Sequence, residues 1–274
     1  MGRLRLTHVR DGAVALRTQY WLPAATVEDL DRYRGHLDEA GNLAAGIGGL
    51  LVGQDTMIDA GFGPFSFPAH PDNPVFGHMF GGELPTNLAR AGHRADQVRS
   101  VLLTHLHLDH CGWLAYPEPD TDTPPFAHAR VYVHEREWAE REHALDTGGL
   151  TPEALDLLAA RVVTFGDDQE IVPGIRSVPL PGHTVGHTGF LITSGRHRLW
   201  VLGDALHTPI QIRHPDWSPH ADHDPHRAAL SRTRLLEALT DSPDLLYANH
   251  FADVVFGTIT RNDTGTTFWQ PHHD

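Results

Sequence analysis

The sequence predicts a mixed α/β fold of the α+β kind, with two sheets and helices outside them. Three observations carry this. Short apolar runs bounded by glycine and polar turn residues recur in both halves of the chain. Helical patterns fall in groups between those runs and do not alternate with them one for one, which argues against a regular βαβ repeat. The 274 residues are 40% apolar and 20% charged, ample for a core and ordinary for a globular protein. No fixed-period repeat or low-complexity linker divides the chain, so residues 1–274 are read as one domain.

In chain order, "GGLLVG" (48–53) and "TMIDAG" (56–61) are strands. "GELPTNLARAGH" (82–93) is a helix with Leu84, Leu88 and Ala91 on one stripe. "RSVLLT" (99–104) is a buried strand, followed by the strand "ARVYVH". "HEREWAEREHAL" (134–145) and "TPEALDLLAAR" are helices, the second opened by Thr151 as cap and Pro152 at the first helical position. Strands return at "GIRSVPL", "GFLITS" and "HRLWVLG". Asp224-Pro225 opens the long helix "HRAALSRTRLLEAL", and the strands "DLLYANH" and "DVVFGTI" close the series. The proline-rich stretches 116–126 and 208–225 are expected to be loops over a site.

Composition excludes several functions. A net charge of −14 opposes nucleic acid and anionic membrane. No apolar run approaches a membrane span, and the start lacks a signal peptide's apolar core. The single cysteine, Cys111, forbids an internal disulfide and a cysteine-based zinc knuckle; the expected location is the cytoplasm. All 21 basic residues are arginine, so a Schiff-base lysine, a carbamylated bridging lysine and a Walker A loop are absent. G-x-S-x-G is missing too. "GIGGLLVG" and "GFGPF" do not complete G-x-G-x-x-G, and their glycines read as tight turns between strands.

"THLHLDHCGW" (104–113) places His105, His107, Asp109 and His110 within six residues. With 22 histidines in the chain, such a run can arise by chance, so the reading depends on distant ligands. Three apolar strands supply them. "PLPGHTVGHTGF" carries His183, which alone could be a hydrogen-bonded turn residue. "LWVLGDALH" ends on Asp204, which alone could be a helix cap, and "LLYANHF" ends on His250. Strand ends gather at one edge of a sheet, where the three can converge. In an extended segment residues i and i+2 share a side, so His105 and His107 can hold one ion. Asp109 and His110, at the start of a helix, suit a second. His183 completes the first set, His250 the second, and Asp204 can bridge. Imidazoles and carboxylates without thiolate suit zinc, with manganese or iron as alternatives.

H-x-H-x-D-H, G-H-x-x-G-H, a strand ending in Gly-Asp and a late strand ending in His together resemble the metallo-β-lactamase superfamily. "MIDAG" resembles its Asp-Thr-Gly element, with Ala60 in place of Thr, and brings Asp59 near the metals. The likeness runs from about residue 45 to 260 and implies a four-layered αββα sandwich with a dinuclear site at one edge. Antibiotic-hydrolysing members with a cysteine ligand fit poorly, because Cys111 directly follows the motif and ends no later strand. Nuclease members fit poorly with the charge. The chain is most similar to the lactonase and parathion-hydrolase-like branch.

The chemistry this implies is hydrolysis. Two ions lower the pKa of a bridging water toward 7 and yield a hydroxide for a lactone, ester or related acyl bond, with phosphotriester cleavage as a side activity. Asp109 can ligate and also shuttle the proton. His207 stands where homoserine-lactone hydrolases carry a tyrosine, and is assigned to catalysis. His187 and Asp59 are expected to orient ligands, although a turn hydrogen bond accounts equally for His187. Phe65, Phe67 and Trp217 are expected to wall an apolar substrate slot, with Phe62 packing the loop. Asp224 reads as a helix cap, and Asp222 as a surface or supporting residue. The expected partner is a small molecule, with a homodimer left open. Three alternatives stand: a mononuclear iron dioxygenase on the same fold, which would leave Asp109, His110 and His250 unused, a non-catalytic binder that keeps the fold, and a thioesterase of the glyoxalase II type.

Overall fold

The computed structural model describes residues 1–2, 4–146, 148–252 and 254–272. Among the described residues the first sheet has eight strands: β1 (Leu6–Leu16), β2 (Leu43–Val52), β3 (Thr56–Ile58), β4 (Ser66–Phe67), β5 (Phe76–Phe80), β6 (Ser100–Leu102), β7 (Arg130–His134) and β8 (Val162–Phe165), in the spatial order 4-5-1-2-3-6-7-8. The second has seven: β9 (Glu170–Val172), β10 (Ile175–Pro179), β11 (Thr188–Ser194), β12 (His197–Val201), β13 (Leu245–Tyr247), β14 (Phe256–Arg261) and β15 (Thr267–Pro271), ordered 15-14-13-12-11-10-9. The helices are α1 (Thr18–Trp21), α2 (Val27–Arg32), α3 (Leu84–Arg90), α4 (Leu108–Ala115), α5 (Glu135–Ala139), α6 (His143–Asp146), α7 (Pro152–Ala159) and α8 (Pro225–Leu239).

The pleat explains why the central strands read as unbroken apolar runs. Successive side chains face opposite ways, and both faces are covered. Leu50 and Val52 of β2, Ile58 of β3 and Leu102 of β6 meet Phe190 and Ile192 of β11 and Leu199 and Val201 of β12 between the sheets. Their neighbours Leu51, Met57, Val101 and Leu103 turn outward to Leu114 of α4 and Leu158 of α7. On the far side, Leu235, Leu236 and Leu239 of α8 cover the second sheet. The layers are helix, sheet, sheet, helix, as the family resemblance implies.

Three local expectations need correction. Gly46, Gly48 and Gly49 of "GIGGLLVG" lie inside β2 and form no turn, whereas Gly53, at φ of +69°, makes the β2–β3 turn as expected; a Cβ on Gly49 would meet the Asp59 carbonyl at 2.3 Å, so close backbone approach requires glycine. "HEREWAEREHAL" breaks after Ala139 into α5 and α6. It lacks a continuous apolar stripe, and Glu137 turns inward to bind loops. The stretch 116–126 does not cover the site: of its residues, Tyr116 packs on Phe65 at 4.7 Å, and none lines the metal-facing cavity. Residues 208–225 do reach it. Caps fall as expected, with Thr151 accepting from Ala154 N and Asp224 from Arg227 N.

Candidate metal centre

β6 delivers an extended Thr104–His107 segment, and His107 is the residue before α4. The β10–β11 turn carries His183. Val201 of β12 pairs in parallel with Tyr247 of β13. Asp204 and His250 each follow by three residues, so register alone sets them side by side. Gly203 makes the turn with φ of +52°, and a Cβ there would strike His187 Nε2 at 2.6 Å.

The seven expected ligands come together. His105, His107 and His183 each present a nitrogen within 4.8 Å of the others, and a carboxylate oxygen of Asp109 and nitrogens of His110 and His250 lie equally close together. Asp204 stands between these sets. Its Oδ1 lies 3.1 Å from Nε2 of both His110 and His250. Its Oδ2 lies 3.4 Å from His183 Nε2 and 3.9 Å from His105 Nε2. Asp204 is not a helix cap: its carboxylate makes no cap bond and faces imidazoles. The Nε2 atoms of His105 and His110 and Oδ1 of Asp204 are buried without a hydrogen bond of acceptable geometry. Lone pairs so close yet so misaligned face a common point, as ligand atoms do. Cys111 instead donates to the His107 carbonyl.

The outer nitrogens of His105, His110, His183 and His250 are occupied, which fixes which nitrogen of each faces inward. His110 Nδ1 is 2.9 Å from Asp59 Oδ2. Asp59 Oδ1 accepts from Thr104 N, and Thr104 Oγ1 is 3.0 Å from His105 Nδ1. His250 Nδ1 meets the Gly46 carbonyl at 2.8 Å, and His183 Nδ1 meets Asp222 Oδ1 at 3.1 Å. His187 accepts from Asp204 N at 2.9 Å and faces the Leu180 carbonyl with Nδ1, so it shapes the Asp204 turn. Asp222 is therefore a buried partner of His183 and not a surface residue. Glu137 accepts from Leu106 N and from Thr184 and Gly186, tying the two ligand loops together. The sequence offered no signal for Glu137, which sits among exposed charges of α5.

Burial pushes His107 and His187 down to about 3, helped by the neighbouring His183. Burial, then His110 and His107, hold His105 well below the ordinary value. At His110 burial opposes the charged form, but Asp204, Asp109 and Asp59 outweigh it and raise the pKa well above 6.5. His250 is raised against burial by Asp204 and then Asp109. Burial opposes the Asp204 anion, yet His110, His250, His207 and His105 hold it well below the carboxylate range.

A cavity of about 340 Å³ opens onto Asp109, Asp204, His207 and His250. Its apolar walls are Val14, Leu16, Trp21, Phe62, Phe67 and Met79. Phe67 is therefore among the lining residues, and Phe62 is as well. Phe65 is not; it packs behind, stacked on Phe67 at 5.9 Å. Trp217 is not a wall either; it is buried against His214 at 3.8 Å. Sequence reading missed the walls from β1 and α1, which lie far from every motif. His207 lines the cavity, its Nε2 3.0 Å from Asp204 Oδ2 and its Nδ1 without a hydrogen-bond partner. It also falls within 4.8 Å of His183 and Asp204, which adds it to the candidate donors. Burial lowers its pKa to about 4, so it is neutral at pH 7.

The profile of the Metallo-beta-lactamase superfamily matches residues 50–250. The chain belongs to that superfamily. N-acyl homoserine lactonase of Bacillus thuringiensis is 27% identical over 164 residues, 60% of either chain, so the alignment spans well under the full length of that relative. A probable metallo-hydrolase of Mycobacterium tuberculosis is 31% identical over 134 residues, 44% of this chain and 41% of the other. AidC, a dizinc quorum-quenching lactonase solved with a product, superposes with a TM-score of 0.82 at 22% identity, covering 100% of this chain and 96% of that one. The hydrolase AbOPH superposes at 0.79, also at 22% identity, over 100% and 96% of the two chains. This superfamily member thus has the sandwich of those hydrolases.

Proposed function

We propose that this chain is a dinuclear metal-dependent hydrolase that opens a lactone or ester. One observation carries the reading: the Asp204 carboxylate lies between two complete ligand triads, beside a mainly apolar cavity. The residues fit two divalent ions, zinc by their nitrogen and oxygen donors, and the ions supply an activated water and a Lewis acid. His105, His107 and His183 would hold one; Asp109, His110 and His250 the other; Asp204 both. A mononuclear dioxygenase would leave the second triad without a task.

Asp109 lines the cavity with its side chain 22% exposed. It is placed to take a proton from the attacking water and return it to the leaving alkoxide. His207, neutral, points Nε2–H at Asp204 Oδ2 3.0 Å away, which leaves its unpartnered Nδ1 lone pair to accept a proton or hydrogen bond from the reacting water or hydroxyl. The apolar walls hold a hydrocarbon part of the substrate and exclude water. Among the described residues no helix is long and apolar enough to cross a membrane. We read residues 1–274 as one cytoplasmic domain acting on a small molecule. The named functions of the relatives favour lactones, N-acyl homoserine lactones among them; phosphotriesters are a side activity. The test is zinc-reconstituted protein assayed on lactones, aryl esters, thioesters and phosphotriesters. Chelator-sensitive turnover fastest on a lactone or ester is expected. Preference for a phosphodiester, or no hydrolysis by protein holding two zinc ions, overturns the reading.

A further inference from the structure

Arg232 of α8 is 0% exposed, yet it lines neither the metal-facing cavity nor the neighbouring one. Each of its three nitrogens makes a hydrogen bond. Nη1 donates to Asp222 Oδ2 at 3.0 Å, Nε donates to the Pro215 carbonyl at 2.7 Å, and Nη2 donates to Ser218 Oγ. The other oxygen of Asp222 is the one that meets His183 Nδ1. The backbone closes the same seam, with His223 N donating to the His183 carbonyl and Asp224 N to that of Gly182. A buried guanidinium is costly to desolvate, and an apolar residue of similar volume would pack there at less cost. What its charge and planar fork accomplish here is to hold one carboxylate, and through it one imidazole.

The other outer contacts are built differently. His250 leans on a backbone carbonyl, and Asp59, behind His110, is anchored by the backbone N–H and hydroxyl of Thr104. Among the described residues, only the His105–His107–His183 half has a ligand backed by a carboxylate that a guanidinium clamps. The clamped loop also supplies Ala221, which lines both cavities beside the centre.

We propose that Arg232 is a positioning residue of the metal centre. By clamping Asp222 it keeps the proton on His183 Nδ1 and the Nε2 lone pair inward, and so sets how firmly that half holds its ion. The inference rests on the two-ion reading above.

The test uses the full chain loaded with zinc, and follows release to a chromophoric chelator, where two ions give two phases. Asp222→Asn removes the charge behind His183. Arg232→Lys keeps a charge but replaces the fork with a single point contact. Loss of an outer-shell partner weakens metal affinity by about 10- to 100-fold. Asp222→Asn should speed one phase by that range and leave the other within about twofold; Arg232→Lys should speed the same phase by less. A purely structural role would speed both phases together, and that result overturns the proposal, as does release unchanged in both variants. If neither variant folds by circular dichroism, nitrogen-15 NMR of the zinc-loaded wild type decides. An exchange-protected His183 Nδ1–H resonance is expected, and its absence overturns the proposal. Wild type that binds two zinc ions while the variants release them normally defeats this inference alone. Wild type that binds none defeats the two-ion reading and this inference with it.

Discussion

Replacing Asp59 by Asn should damage one half of the metal centre and spare the other. Asp59 sits at φ of +58°, a left-handed conformation that Asn adopts readily, so the backbone can stay in place. Its Oδ2 accepts the proton on His110 Nδ1 at 2.9 Å, while Oδ1 accepts from Thr104 N at 2.9 Å. An amide cannot accept at both ends. With its NH₂ toward His110, the imidazole proton must move to Nε2, the nitrogen 3.1 Å from Asp204 Oδ1 that would ligate. With its NH₂ toward Thr104, two donors face each other in a buried site. Either arrangement costs about 1–3 kcal/mol, roughly a 5- to 150-fold loss of affinity at ~1.4 kcal/mol per tenfold. Competition against a chromophoric chelator at fixed pH reads the two affinities separately. The Asp109–His110–His250 half should weaken within that range and the other half should hold within about twofold. Wild-type affinity at both, or a loss confined to the His105–His107–His183 half, refutes the reasoning.

Asp204→Ala should weaken both ions together, because its carboxylate lies within reach of both triads; elemental analysis after gel filtration should find well under one zinc per chain, and near-full loading counts against the bridge. Asp109→Asn should keep part of the zinc but lose about a hundredfold or more in turnover, the usual effect of removing a general acid/base; near-normal turnover at full loading excludes the shuttle. His207→Ala should lower turnover about a hundredfold with zinc content unchanged; lost zinc would make His207 a ligand instead. Zinc binding should release protons, and more of them as pH falls, because Asp204 and Asp109 raise the pKa values of His110 and His250 while burial lowers those of His105 and His107. Those raised values favour the metal-free fold below pH 6.5, a contribution lost as pH rises through the folded values. Calorimetry in buffers of different ionisation enthalpy should therefore give different binding enthalpies, and identical values refute the assignment.

The ligands were legible because their spacing is local or terminates strands. H-x-H-x-D-H spans one extended stretch and one helix start, and Asp204 and His250 stand at the ends of apolar runs that plainly read as strands. The layers were legible because strands covered on both faces leave no polar alternation. The walls were not. Trp21 and Leu16 reach the cavity only because β1 pairs with β2 and β5, a register that no single segment declares. Trp217 looked like a wall from its loop, yet stacking on His214 satisfies it elsewhere. No motif singles out Glu137 or Arg232 in the sequence, and only tertiary packing turns them inward. Length and charge misread "HEREWAEREHAL" as one helix for the same reason: the inward turn of Glu137 is a long-range fact.

The two triads draw their members from different layers. His105, His107, Asp109 and His110 follow β6 of the first sheet, whereas His183, Asp204 and His250 follow strands of the second. Neither sheet can complete either triad alone. Ions held there act as rivets across the seam, and their binding free energy becomes cohesion between the two sheets. At a free concentration a hundredfold above Kd, one such rivet adds about 2.7 kcal/mol to the folded state. On the two-ion reading, the mouth of the cavity is thus also a joint whose strength would follow the supply of divalent metal.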